Sequence, residues 1–203
     1  MIAEPVTTVT DYVIALECLL LAGLLLRFGW AECCWAAAFV SVGVAAALGG
    51  TYHGFAGFLT EPVNNFIWQG TVLAIAIASF LMIVAATGHL HRIWRWVWIM
   101  LASVKLLLLL NWSIGDWSFV ARVIDYLSAL GIVLLLQQGS GFTWMASGIV
   151  ISGIAAGCLI VPLPLAFNLS PVVGYHLVQM VALYCIYRSV RAIAQTRSKL
   201  LKS

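Results

Sequence analysis

The sequence predicts an all-α polytopic membrane protein, a single seven-helix transmembrane bundle over residues 1–203 with its N-terminus outside and its C-terminus cytoplasmic. Three observations lead there. Apolar residues make up 64% of the chain and charged ones 8%, with a mean hydropathy of +1.07; a water-soluble domain is about half apolar and a quarter charged. Apolar runs of bilayer-crossing length, about twenty residues each, follow one another near 10–27, 33–53, 65–87, 93–112, 117–137, 142–163 and 171–193. Lys and Arg gather on alternate connections, which sets orientation. Arg27, Arg92, Arg95, Arg188, Arg191, Arg197, Lys199 and Lys202 share one side, and Glu4, Glu61 and Asp116 the other. The expected location is the plasma (inner) membrane.

The first span opens at the cap-like pair Thr10-Asp11 and carries Glu17 about two turns in. Glu4 and Asp11 stand where a signal peptide has a positive segment, so the span is expected to be retained. The second span is rich in Ala and Gly and ends in Gly49-Gly50-Thr51-Tyr52-His53-Gly54. Glycines there admit a neighbouring backbone, or leave room beside His53 for a ligand. The third opens with Glu61-Pro62-Val63-Asn64-Asn65, where an asparagine caps the helix or meets a ligand. It closes on a mixture of His89, His91, Arg92 and Arg95 with tryptophans, the composition of an interfacial anchor.

Lys105 stands inside the fourth span, and Arg122 and Asp125 share a face of the fifth. The sixth holds the spacing Gly153-xxx-Gly157, suited to close helix contact, and is read as a packing helix ended by Pro162 and Pro164. The seventh begins after Ser170-Pro171 and presents Tyr175, His176 and Gln179, with His176 and Gln179 on one face. Five cysteines without CxxC or finger spacing are read as small buried hydrophobes.

The net charge of +3 is concentrated in a short tail after the last span, a pattern that meets anionic head groups. Membrane lipids are therefore the expected partners and nucleic acid is not. The runs consume nearly the whole sequence and leave no room within it for a soluble domain. Ionisable groups inside lipid are costly when isolated. Glu17, His53, Lys105, Arg122, Asp125 and His176 fall at neighbouring depths, so the sequence predicts a shared polar chamber in the outer half, built by spans one to five and seven.

A histidine late in span two, an amide opening span three and a histidine early in span seven resemble the CREST superfamily, which covers alkaline ceramidases and adiponectin-receptor-like proteins. That resemblance implies an intramembrane amide hydrolase with a metal ion, His53 matching the span-two histidine and His176 the second of a span-seven HxxxH pair. Val172 stands where the first histidine of that pair belongs, Gly49 where a serine belongs and Asn64 where an acid belongs. The stretch LGGTYHGF is also similar to an uncharacterised family of small bacterial seven-span proteins.

The expected function is hydrolysis of a lipid amide or ester by a zinc-bound hydroxide. His53 and His176 are the candidate metal ligands, with Glu17, Asp11 or Asp125 as the third. Glu17, Asp125 and Lys105 are the catalytic candidates, and Arg122, Gln179, Asn64, Tyr52 and Tyr175 would contact substrate. Two other classes stay open: a bundle that binds or transports a small ligand, and a structural subunit of a homo-oligomer or larger membrane complex.

Overall fold

A computed structural model of the protein describes residues 2–27, 29–112, 119–137, 139–160 and 170–200. Among them lie seven α-helices: α1 (Pro5–Leu25), α2 (Trp30–Phe55), α3 (Glu61–Ala86), α4 (Arg92–Trp112), α5 (Phe119–Leu136), α6 (Phe142–Cys158) and α7 (Pro171–Leu200). Asp116, Pro162, Pro164 and Lys202, and the side chain of Lys199, lie outside the described residues. α1, α2, α3, α4 and α7 are long and apolar enough to cross a membrane, and α6 is a shorter apolar helix. Large apolar side chains cover the outside, with Leu20, Met100 and Val150 all more than half exposed. A surface of that kind suits lipid and not water.

The boundaries differ from the apolar runs where helix formation and hydropathy part company. α1 starts five residues early because Pro5, whose ring fixes a helical φ and whose missing N–H costs nothing there, occupies the first turn. Thr10 and Asp11 are thus helix interior and not a cap. α7 continues seven residues past the last apolar run, through Ala, Gln, Arg and Lys, which favour helix in any solvent.

Six helices close a ring in the order α1, α2, α3, α5, α6, α7, and α4 lies outside it against α3. One half of the ring is solid. Cys18, Leu25, Phe39, Met82, Leu130, Met145, Leu183 and Ile186 from six different helices are fully buried there. This half is called lower here; it holds the beginning of α2, the end of α3 and the tail of α7. The upper half holds the beginnings of α1, α3 and α7.

Without a hydrophobic drive between helices in lipid, close backbone approach through small residues is what packs them. Such approach occurs between α1 and α2, where a Cβ added to Gly50 would sit 2.9 Å from Asp11 Cβ and one at Gly54 would sit 2.9 Å from Thr8 Oγ1. The glycines flanking His53 therefore seat α1. Between α6 and α7 the tight contact is Gly148, whose Cβ would meet Ile186 at 2.8 Å, whereas Gly153 and Gly157 face open space. The predicted small-residue seam on the sixth helix thus lies one turn or more away from where its spacing put it.

Candidate functional site

α1 brings Asp11 to the inside of the ring and α7 brings His176 to meet it. His176 Nε2 lies 3.2 Å from Asp11 Oδ1, and both side chains are more than nine-tenths buried. Thr10 Oγ1 stands 2.8 Å from His176 Nδ1 and 2.9 Å from the Thr7 carbonyl. A hydroxyl has one proton to give, so two arrangements satisfy the chain. Either Thr10 donates to Nδ1 and Nε2–H donates to the Asp11 carboxylate, or Thr10 donates to Thr7 and accepts from Nδ1–H. The second arrangement holds one proton more, shared between His176 and Asp11. The two differ by that proton and by the rotation of one hydroxyl.

Asp11 and His176 form part of the wall of an upper-half cavity of about 260 Å³. Every helix of the ring contributes to it: Ile14 from α1, Gly49 and His53 from α2, Trp68 and Thr71 from α3, Tyr126 from α5, Ser152 from α6, and Tyr175 and Gln179 from α7. Gly49 lacks a side chain at the point where the Asp11 carboxylate turns inward, its Cβ position being 3.6 Å from Asp11 Oδ1. Asp11 Oδ2 and Ser152 Oγ are buried and have no hydrogen-bond partner among the described residues. A buried acceptor left unmade costs about 1–3 kcal/mol, more when charged, and a ligand offering a donor would relieve it. His53 sits at the rim, its Nδ1 3.3 Å from Glu4 Oε2, and packs edge-on against Tyr52, which in turn meets Trp68 at 5.3 Å between ring centroids.

Of the predicted site residues, Asp11, His53, Tyr175, His176 and Gln179 line this cavity. The others do not, and the helix set differs from the expected one: α6 belongs to the chamber and α4 does not. Lys105 on α4 donates to the Asp125 carboxylate and, at 3.1 Å, to the Asp125 carbonyl. That pair ties α4 to α5 outside the ring. Arg122 is buried on α5, likewise outside the cavity wall. Glu17 is half-buried on another face of α1, and its Oε2 has no hydrogen-bond partner among the described residues. Asn64 neither caps nor lines: its Nδ2 donates at 2.8 Å to the Ala56 carbonyl and pins the turn between α2 and α3. Tyr52 supports His53 and Trp68 from behind.

Asp11, His53 and His176 are the three side chains of ligand type in the wall. Among the described residues no three His, Cys, Asp or Glu side chains are gathered as metal ligands. Both ring nitrogens of His176 are engaged, so a metal must displace Asp11 or Thr10 to reach it. Sequence reasoning took Thr10 and Asp11 as a cap, offered Asp11 also as a third metal ligand, and passed over Trp68, Tyr126 and Ser152. It also passed over Glu32, which lies buried at the other end of the bundle.

A family model described as a family of unknown function (DUF6962) matches residues 6–195, and the chain belongs to that family. No curated protein and no solved structure matches it.

Proposed function

We propose that this member of the family is a seven-span protein of the plasma (inner) membrane that binds an amphipathic molecule in its upper cavity, head group inward. The N-terminus faces outside in this reading, because Arg27, Arg92, Arg95 and Arg197 belong to the lower end and positive charge is retained on the cytoplasmic side. The observation that carries it is Asp11: a buried carboxylate in the wall of a mostly apolar cavity, with one oxygen on His176 and the other unpartnered among the described residues. The matching ligand has an N–H or O–H head and an apolar body. Lipid amides fit this description best, their N–H facing Asp11 and their carbonyl facing the Gln179 amide. A dry cavity of ~150 Å³ takes one benzene ring, so the space here holds the head and the first carbons of a chain, with the remainder reaching lipid.

The test is thermal unfolding of purified protein with dodecanoyl ethanolamide against dodecyl acetate, which has no donor. The amide is expected to raise the melting temperature and the ester to leave it, with affinity falling about tenfold in Asp11→Asn as a charge-assisted hydrogen bond is lost. Equal stabilisation by both compounds, or an undiminished response in Asp11→Asn, contradicts the reading.

A second reading, zinc-assisted hydrolysis of a lipid amide or ester, draws on Asp11, His53 and His176 sharing one cavity. It predicts about one zinc per chain, lost in His53→Ala, and release of free fatty acid from the ethanolamide. Protein that binds the amide without zinc and without turnover leaves the binding reading alone.

A further inference from the structure

A second cavity, of about 160 Å³, lies in the lower half between α2, the end of α3, the end of α5 and the tail of α7. Glu32 and Arg197 are 165 positions apart in sequence and meet in its wall, Arg197 Nη1 lying 3.3 Å from Glu32 Oε1. From Glu32 to His53 on α2, and from His176 to Arg197 on α7, is twenty-one residues, about 30 Å at the helical rise, so the two cavities sit at opposite ends of the bundle. Glu32 belongs to the first turn of α2, where the helix dipole favours its charge. Its side chain is 4% exposed while Arg197 keeps 39%. Glu32 Oε2 is buried and has no hydrogen-bond partner among the described residues. His89, exposed, shares the rim, and Gln137 is anchored away by a 2.6 Å bond from its Nε2 to Ser189 Oγ.

An anion deep in the wall and a half-open guanidinium beside it are together neutral. A lone cation would leave the cavity net positive, and a lone anion would face Glu32. The charge layout matches a neutral molecule that carries both signs, its N–H donors turned toward the Glu32 carboxylate and its anion toward Arg197. We propose that the lower cavity binds a small zwitterion with a primary ammonium and an oxyanion. Two sources share that chemistry: the phosphoethanolamine head group of a membrane lipid, and a free amino acid or phosphoethanolamine in solution.

The test uses the whole protein in nanodiscs containing phosphatidylethanolamine, its N-methyl and N,N-dimethyl derivatives, or phosphatidylcholine, with retained lipid counted by native mass spectrometry. Each methyl removes a donor and enlarges the head, so retention is expected to fall in steps, by about tenfold from the first to the last. Glu32→Gln is expected to abolish the preference. In a second arm, free phosphoethanolamine and glycine are added to protein in phosphatidylcholine discs. A melting shift there without lipid selectivity assigns the site to a soluble zwitterion. Equal retention along the methyl series together with no shift from either free compound overturns the proposal, as does full selectivity in Glu32→Gln. The methyl series needs no variant, so it decides the matter even where Glu32→Gln does not fold.

Discussion

Lys105→Met is expected to destabilise the protein by roughly 3 kcal/mol or more, because it strands the Asp125 carboxylate, whose side chain is 2% exposed. Lys105 donates to Asp125 Oδ1 and to the Asp125 backbone carbonyl at once, and Ser128 Oγ adds a 2.7 Å bond to the same carbonyl. Little else holds α4. Its apolar stretch is 6% buried, and Ala102 is its one residue in the buried core among the described side chains. Removing both charges together, in Lys105→Met with Asp125→Leu, should restore part of the loss, since apolar replacement of a buried pair is often neutral while the buried Arg122 loses the attraction of Asp125. Equilibrium unfolding in mixed micelles reads all three variants. A single variant as stable as the parent, or a double variant as damaged as the single, would show that the pair does not tether α4.

Gly50→Val should be the most damaging change on the opposite side of the ring. A Cβ there already stands 2.9 Å from Asp11 Cβ and 3.3 Å from the Thr8 carbonyl. Neither atom is the end of a flexible side chain, so α1 itself must move. Overpacking of this kind costs about 1–3 kcal/mol, sometimes more. It also carries Asp11 away from His176, so ligand binding should fail even where the protein still folds. Gly23→Ala is the control: nothing lies within 4 Å of its Cβ position, and alanine in a helix interior is worth roughly 0.5–1 kcal/mol over glycine. The two substitutions are expected to change unfolding free energy in opposite directions, and a shared direction would remove the close α1–α2 seam from the account.

Helix number, seven among the described residues, and approximate extent were legible because each apolar run is close to bilayer length. Facing was not. Asp11 and Glu17 are six positions apart, about 600° of helical rotation, which leaves them about 120° from one another. One enters the cavity wall and the other does not. Lys105, Arg122 and Asp125 share the right depth, yet α4 and α5 turn them outside the ring, because chain order says nothing about which helix is excluded from it. Thr-Asp before an apolar run is an N-cap signature, and Pro5 cancelled it by starting the helix a turn earlier. Ser152 sits among Ile151, Gly153 and Ile154 on a helix with no ionisable residue, so no polar signal marked α6 as part of the chamber. Glu32 lies between Trp30 and Trp35, close to Arg27, and was passed over; only the folded tail of α7 shows that it is enclosed.

α1 and α7 meet in the upper half and enclose one chamber with α2, α3, α5 and α6. Paired cysteines test it directly, in protein whose five native cysteines are replaced. Thr10→Cys with His176→Cys should be joined by a short bifunctional thiol reagent within a single chain, as the 2.8 Å contact between the native side chains requires. Glu17→Cys with Lys105→Cys, at the similar depth that sequence alone assigned them, should not be joined. Cross-linking of the second pair, or none in the first, would contradict the account.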